Sequence, residues 1–378
     1  MNKVYLIAGR TGGPFFPLPA VVKSLSNIEP ICIGVKNGFE ETASHKRGWK
    51  IRYLPETRLT LLSFKTEKIS ETVKNYSDLF KNFILLAWSF LKCVYFLVLD
   101  KPKMIYSTGS FLAVPIIYAA EITNFFRLTT TKIIIHQQDP QPGLSNKLTV
   151  SKANLVSYVY NYTKLNYSKF KNAIQIPNPI EEEKYNKLSL LTQDKLIEQA
   201  KNLELQKFLK IKNSNPLMLI FGGGSGSEDI NVWTINNIDE LLKKFRIIHL
   251  TGLLQTKQLG DVKNVNYLRL EVLFEEMPIV MKLADLVLCR AGMASITELQ
   301  YLEKPAYLVP LPSTHQEENA KMVESLFYIL HQSNRPSWLN TISKTYPAYF
   351  DQVTFPSKDI AQSKLKKYYK TLQDMLDN

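Results

Sequence analysis

At 378 residues the chain is too long for one ordinary hydrophobic core, and 45% hydrophobic with 21% charged residues exclude a disordered or fibrous protein. Cys32, Cys93 and Cys289 stand apart with no CxxC spacing, which argues against a disulfide framework or a zinc site and suits a reducing cytosol. The net charge of +13 sits in one half: residues 1–180 hold 23 Lys and Arg against 10 Asp and Glu, while residues 181–378 hold 24 of each.

The chain opens on MNKVYLIAGR, whose apolar run is too short for a signal peptide and reads as a first strand over 4–9. A glycine turn and a helix through Ala20 to Leu25 follow, then a strand over 30–35. Phe83 to Leu99, FILLAWSFLKCVYFLVL, spans 17 residues interrupted by Lys92, short of the roughly 20 that cross a bilayer. It reads as a helix packed on a sheet or lying at a membrane interface sooner than as a span. Strands over 104–109, 132–137, 155–160 and 173–178 complete the first half, and strands alternating with helices imply a parallel sheet covered on both faces. Residues 181–215 are charged, glycine-free and helix-prone, a linker with an entry helix. Strands over 216–224, 246–252, 266–272, 283–292 and 305–312 then repeat the pattern, and Ser357 to Asn378 is an amphipathic helix rich in Lys and Gln. The expectation is α/β: two Rossmann-like domains with parallel sheets facing across a cleft. Their bounds are 1–180 and 216–345, with the linker between and a tail over 346–378.

Two glycine clusters each follow a strand and open a helix, Gly9-Arg-Thr-Gly-Gly13 and Gly222-Gly-Gly-Ser-Gly226. Glycine there lets backbone N–H groups approach an anion, and a helix N-terminus adds favourable partial charge. Neither is a Walker loop or a G-x-G-x-x-G turn, and no acidic residue closes the second strand at Ile33-Gly34, which disfavours a dinucleotide oxidoreductase. Two such loops in two half-chains point to a nucleotide diphosphate. In Cys289-Arg-Ala-Gly-Met-Ala-Ser-Ile-Thr-Glu298, Gly292 makes a turn and Glu298 is placed to accept both hydroxyls of a ribose diol; its other reading is a capping glutamate. Gln316 and Asn319, three apart at a helix start, suit sugar hydroxyls, and His136 to Asn146 follows a strand end, where α/β ligands bind. Five histidines without HxxxH spacing or a carboxylate cluster give no metal site. The basic first half fits an anionic membrane, a pyrophosphate substrate or simply a solvated surface; no RRM, KH or zinc-finger signature supports nucleic acid.

In order along the chain, these motifs resemble the MurG family of glycosyltransferases. Gly9–Gly13 is similar to GGTGGH, Ile33–Glu40 to the second-strand signature, Gly109–Pro115 to GGYVSGP, His136–Asn146 to HEQNxxPGLTN and Pro177-Asn-Pro179 to a GNP hinge turn. Gly222–Asn231 is similar to GGSQGAxxxN, Ile248–Gly252 to IHQTG, 289–298 to CRSGALTVSE and His315–Ala320 to HQxxNA. The resemblance, over residues 4–320, implies the GT-B fold and inverting transfer of N-acetylglucosamine from UDP-N-acetylglucosamine to a muramyl-pentapeptide on polyprenyl pyrophosphate. It implies a peripheral protein at the cytoplasmic face of an anionic membrane, with no cofactor beyond the nucleotide-sugar substrate. By resemblance, Thr11, Gly12 and Gly13 lie beside the donor sugar and diphosphate. Gly224 and Ser225 take the phosphate-side loop, and Phe274 stands where the backbone reads uracil. Met293, Ala294, Ser295, Ile296, Thr297 and Glu298 form the diphosphate and ribose site, with Gln316 towards the sugar.

The sequence departs from the family at Arg10, Pro14 (histidine in the family), Gln137, Asp139, Glu181 (arginine) and Gly224. Inverting transfer needs a base for the acceptor hydroxyl. With Pro14 unable to serve, Asp139 is the candidate base, a carboxylate in place of the family's amide; its other reading is a turn-forming residue before Pro140. Two alternatives stay open: a transferase with another lipid acceptor, and an inactive homologue that binds UDP-sugar or lipid.

Overall fold

The computed structural model describes residues 1–9, 12–55, 69–167, 170, 172–211, 213–253 and 259–377; in the helix Ile69–Asp100, side chains are described from residue 84 onward. Two compact units emerge, one formed by residues 1–179 with 360–378, the other by 180–359.

In the first unit seven strands, β1 (Asn2–Ile7), β2 (Ile28–Gly34), β3 (Lys50–Tyr53), β4 (Met104–Ser107), β5 (Lys132–Gln137), β6 (Leu155–Tyr158) and β7 (Ala173–Gln175), lie in the order β3-β2-β1-β4-β5-β6-β7. Every pairing is parallel. Alternate residues of one strand feed opposite faces: Tyr5 and Ile7 join one core with Ile31, Ile33, Cys93, Leu97 and Ile116, while Val4 and Leu6 join another with Leu18, Cys32 and Met104. Burial on both faces explains why these strands read as continuous apolar runs. Strand β3 was not anticipated. KIRY carries two charges in four residues and pairs at the sheet's edge, so its pattern offers little apolar signal.

The terminal helix Lys358–Asp377 belongs to this first unit and is not a separate tail over 346–378. Leu365, Tyr368, Leu372 and Leu376, spaced 3, 4 and 4 apart, lie on one face of the helix and are buried with Val4, Leu6 and Tyr106. On the opposite face of the sheet, the helix Ile69–Asp100 buries Cys93 and Leu97 and presents Ile84, Trp88, Leu91, Tyr95 and Leu99 to solvent. Among the described residues no helix is long and apolar enough to cross a membrane.

The second unit has six parallel strands, β8 (Leu217–Phe221), β9 (Arg246–Leu250), β10 (Tyr267–Leu270), β11 (Leu286–Cys289), β12 (Ala306–Leu308) and β13 (Tyr328–Ile329), in the order β10-β9-β8-β11-β12-β13. Met218, Ile220, Ile247, Leu286 and Leu288 pack against Trp233, Trp338, Ile342 and Phe350. Residues 181–215 form three short helices, Glu182–Ser189, Gln193–Gln199 and Leu203–Lys210; the first two pack on the helix Met277–Leu283 through Leu188, Leu196 and Ile279.

In each sheet the strand order reverses once, between β1 and β4 and between β8 and β11. The carboxyl ends flanking such a reversal leave a crevice in which α/β proteins bind ligands.

Candidate active site

At the carboxyl edge of the first sheet, hydrogen bonds draw separate motifs together. The Thr108 hydroxyl donates to Pro14 O (2.6 Å) and Ser145 Oγ to Ser110 O (2.6 Å). Asn146 Nδ2 donates to Gln137 Oε1 (2.6 Å), and Gln137 Nε2 donates to the Asp139 and Gln141 carbonyls (2.8 and 3.1 Å). The turns after β1, β4 and β5 are thus tied into one surface. Gly12 and Gly13 open a short helix, Gly12–Phe15, in it. Thr11 lies outside the described residues. Asp139 is half-buried, with Tyr160 near enough that burial and the Asp139 charge both push the tyrosine hydroxyl's pKa up.

His136 sits beneath this surface. Its Nδ1 is 3.0 Å from Ser157 Oγ and its Nε2 3.0 Å from Asn178 Oδ1, and burial lowers its pKa to about 4. It is therefore neutral near pH 7. Since an amide oxygen only accepts, the ring N–H is the one facing Asn178. The residue pins β5 to the 177–179 turn and is not a base. Ser157 Oγ is also 2.9 Å from the Tyr368 hydroxyl, so the terminal helix reaches the same network.

The second sheet repeats the plan. Gly226 and Gly252 have positive φ, and their backbones touch so closely that a Cβ on Gly226 would collide with Thr251 O. Asn231 Nδ2 donates to that same carbonyl (2.9 Å), while Asn231 Oδ1 receives the His249 Nε2–H (2.9 Å). His249 Nδ1 is 2.9 Å from the Tyr267 hydroxyl, and burial holds its pKa down at about 3. His136 and His249 therefore play the same structural part in the two units. Gly224 and Ser225 are carried on the loop so fixed.

Across the reversal, Gly292 caps the helix Met293–Leu302 at the end of β11. Met293, Ile296 and Thr297 are buried, so outward they offer chiefly backbone; Ala294, Ser295 and Glu298 keep partial solvent access. Burial raises the Glu298 pKa to about 7 against the lowering effects of Tyr185 and Lys184. Tyr185 donates its hydroxyl to Glu298 Oε1 at 2.5 Å. Asn319, fully buried, donates to Ala291 O (3.1 Å), tying the helix His315–Met322 to the Gly292 turn; Gln316 on that helix receives the Leu311 N–H (3.0 Å). Phe274, 44% exposed, follows β10 at the outer edge, two strands from β8.

Sequence reading missed a cluster behind these loops. Arg290, buried and with its pKa lowered by desolvation, donates to Val309 O (3.3 Å), Gln332 Oε1 (3.0 Å) and Asp229 Oδ2 (3.5 Å); Arg335 and Gln332 also bind Asp229. These groups compensate a carboxylate in the first turn of the helix after the glycine loop, where an unpaired negative charge would repel a phosphate. Arg290 lies inside a motif singled out above, but its partners are 19 to 61 residues away in sequence.

Residues 4–157 match the glycosyltransferase family 28 N-terminal domain and residues 217–346 the glycosyltransferase family 28 C-terminal domain. The chain is 32% identical, over 87% of its length and 84% of the relative's, to a Clostridium tetani protein named UDP-N-acetylglucosamine–N-acetylmuramyl-(pentapeptide) pyrophosphoryl-undecaprenol N-acetylglucosamine transferase. The chain belongs to glycosyltransferase family 28. A Clostridium botulinum (strain Langeland) protein of the same name is 29% identical over 100% of the chain and 99% of the relative. Among solved structures, Acinetobacter baumannii MurG is similar with a TM-score of 0.63, 18% identity and coverage of 100% and 99%. The Streptomyces glycosyltransferase SsfS6 has a TM-score of 0.56 with 10% identity, covering 100% of this chain and 96% of its own. At such identities these neighbours speak for the fold, GT-B with two Rossmann-like units, as the motif order implied. Between the two family 28 domains lie the short helices that include Tyr185.

Proposed function

We propose that this family 28 glycosyltransferase moves N-acetylglucosamine from UDP-N-acetylglucosamine to a muramyl-pentapeptide carried on undecaprenyl pyrophosphate, with inversion. The observation that carries the reading is the 32% identity across 87% of the chain to a relative named for that transfer. The geometry supports it: glycine turns and helix starts flank both strand-order reversals, offering N–H groups to a diphosphate without a required metal. In this reading Gly224, Ser225 and the backbone of Met293 to Thr297 hold the diphosphate, Glu298 the ribose, Phe274 the base and Gln316 the sugar. The family resemblance assigns Gly12 and Gly13 to the transferred group, and Asp139 takes the proton from the acceptor hydroxyl as it attacks the anomeric carbon and the bond to UDP breaks. Asn319 contributes by fixing the Gly292 turn.

The lipid end of the acceptor has a matching surface on the first unit. Ile84, Trp88, Leu91, Tyr95 and Leu99 form one exposed face of the helix Ile69–Asp100. The neighbouring helix Ala113–Phe125 exposes Tyr118, Ile122 and Phe125, with Phe126 and Leu128 beyond it. Phe125 is 81% exposed and Tyr95 62%, in the half of the chain that holds the whole positive excess. Aromatic and aliphatic side chains on a basic half of the chain suit the interface of an anionic membrane, where each Lys or Arg near the surface adds about 1 kcal/mol. Peripheral attachment at the cytoplasmic face follows from this reading, because the activated sugar is a cytoplasmic nucleotide.

The test is UDP release on mixing the purified protein with UDP-N-acetylglucosamine and a short-chain lipid-linked muramyl-pentapeptide. Acceptor-dependent release with a disaccharide product is expected, and Asp139→Asn lowers kcat by about 10²-fold or more with donor affinity kept. Wild-type protein that binds donor without turnover overturns the acceptor assignment; full turnover by Asp139→Asn overturns the base.

A further inference from the structure

We infer that Tyr185 is a positioning residue for nucleotide recognition, holding Glu298 in the orientation that accepts the ribose hydroxyls; this rests on the reading of Glu298 as the ribose ligand. Tyr185 lies on the helix Glu182–Ser189, 113 residues before its partner, and is 3% exposed. Its hydroxyl donates to Glu298 Oε1 at 2.5 Å, a length typical of a hydrogen bond to an ionised acceptor. Burial and the adjacent carboxylate drive the tyrosine pKa far above its ordinary value, so the phenol stays protonated and acts as donor whenever Glu298 is ionised.

The tyrosine is itself held. Its ring meets Tyr301 edge-on, centroids 5.5 Å apart. The Tyr301 hydroxyl donates to Asn186 Oδ1 (2.8 Å), and the Lys358 ammonium lies over the Tyr301 ring while pairing with Glu303 (2.9 Å). A glutamate side chain alone on a helix samples several rotamers, and fixing one carboxylate oxygen leaves the other to meet a diol without a further ordering cost. Binding one oxygen does not exhaust the group, since a carboxylate has about four acceptor positions. Arrangement by a second element therefore converts a mobile carboxylate into a preorganised acceptor. The charged and titratable groups that act on this pair are Lys184 and Glu181 near the same helix, Tyr301 on the helix Met293–Leu302 and Cys289 at the end of β11.

The experiment measures affinities of UDP and 2′,3′-dideoxy-UDP for the full chain by calorimetry, in wild type, Tyr185→Phe and Glu298→Gln, with melting temperatures alongside. Tyr185→Phe removes one oxygen and keeps the ring on Tyr301. It is expected to weaken UDP about tenfold, to leave the dideoxy analogue unchanged and so to erase most of the discrimination between the two. A second readout is the pH at which UDP affinity falls. Ribose binding by the carboxylate is present above the Glu298 pKa and lost as pH falls through it. Removing a hydroxyl that stabilises the ionised form moves that loss to higher pH, whereas a general loosening weakens both ligands without moving it. Unchanged discrimination and an unmoved pH profile in Tyr185→Phe, with Glu298→Gln losing discrimination, overturn the role of Tyr185 alone. Undiminished discrimination in Glu298→Gln overturns the ribose reading beneath it.

Discussion

Leu372→Ala tests whether the terminal helix is part of the first unit's core. Leu372 is fully buried, one of four apolar side chains that Lys358–Asp377 sets against β1 and β4. Truncating a buried leucine costs about 2–5 kcal/mol through lost transfer energy and the cavity left behind. With domain stabilities near 5–15 kcal/mol, a mid-range loss of about 3 kcal/mol removes a fifth or more of the total and lowers the melting temperature by roughly 6–12 °C. Tyr368→Phe is the polar counterpart. Its hydroxyl is buried within 2.9 Å of Ser157 Oγ and 3.2 Å of Tyr106, so its removal is expected to cost about 1–3 kcal/mol by leaving those partners unsatisfied. Because positions 368 and 372 are one turn apart, the double substitution is not expected to be additive. Hydrogen exchange read by mass spectrometry locates the effect: amides of β1, β4 and β5 lose protection and those of β8, β9 and β11 do not. Unchanged protection in β1, β4 and β5, or equal loss in both sheets, refutes the assignment of this helix to the first unit.

Two further substitutions probe the loops and the apolar face. Gly226→Ala is expected to lower stability by about 2–4 kcal/mol, because φ is +89° and its Cβ would collide with Thr251 O, whereas Gly224→Ala raises stability by up to about 1 kcal/mol and weakens UDP. Equal melting temperatures for the two would sink that contrast. Trp88→Glu with Leu91→Glu is expected to cut co-sedimentation with anionic vesicles tenfold or more at unchanged stability. Each half-exposed side chain supplies up to about 1 kcal/mol of burial, and the new charges repel the surface. Undiminished vesicle binding by that variant would place the membrane contact elsewhere.

Much of the architecture was legible because parallel strands buried on both faces are short apolar runs, and VYLI, IIIH, LMLIF and LVLC are plain in the sequence. Strands β3 and β13 escaped, one charged and at an edge, the other only two residues long. Period also told that residues 357–378 form an amphipathic helix, but a period gives the buried face and never its partner; only the fold shows Leu372 beside β1. The candidate site divides in the same way. Glycine turns and the Glu298 segment are local and could be read. The compensation of Asp229 by Arg290 and Arg335 could not, nor the bond from Tyr185 to Glu298, because these partners meet only after 61 to 113 residues of chain have folded between them.

The glycines sort by cause, and that sorting bears on where a ligand sits. Gly226 and Gly252 are required by the protein itself, since their backbones touch and each has positive φ. Gly13, Gly143, Gly224, Gly260 and Gly292 have neither reason: φ is not positive, and apart from chain neighbours and their own helix no described atom lies within 4 Å of a Cβ placed on them; but Gly143 and Gly292 are helix N-caps, where glycine is favoured over alanine. A residue that packing leaves free would ordinarily gain stability as alanine, by about 0.4–1 kcal/mol, through lower entropy of the unfolded chain. Of those left, Gly13 in the short helix after β1 and Gly224 in the turn after β8 each stand beside a strand-order reversal. A molecule that comes close to backbone N–H groups, as the proposed diphosphate does, is a constraint that would keep these two glycine. On the proposed reading, Gly224 belongs to the donor loop of the second unit and Gly13 to the glycine turn of the first that the reading assigns to the transferred sugar.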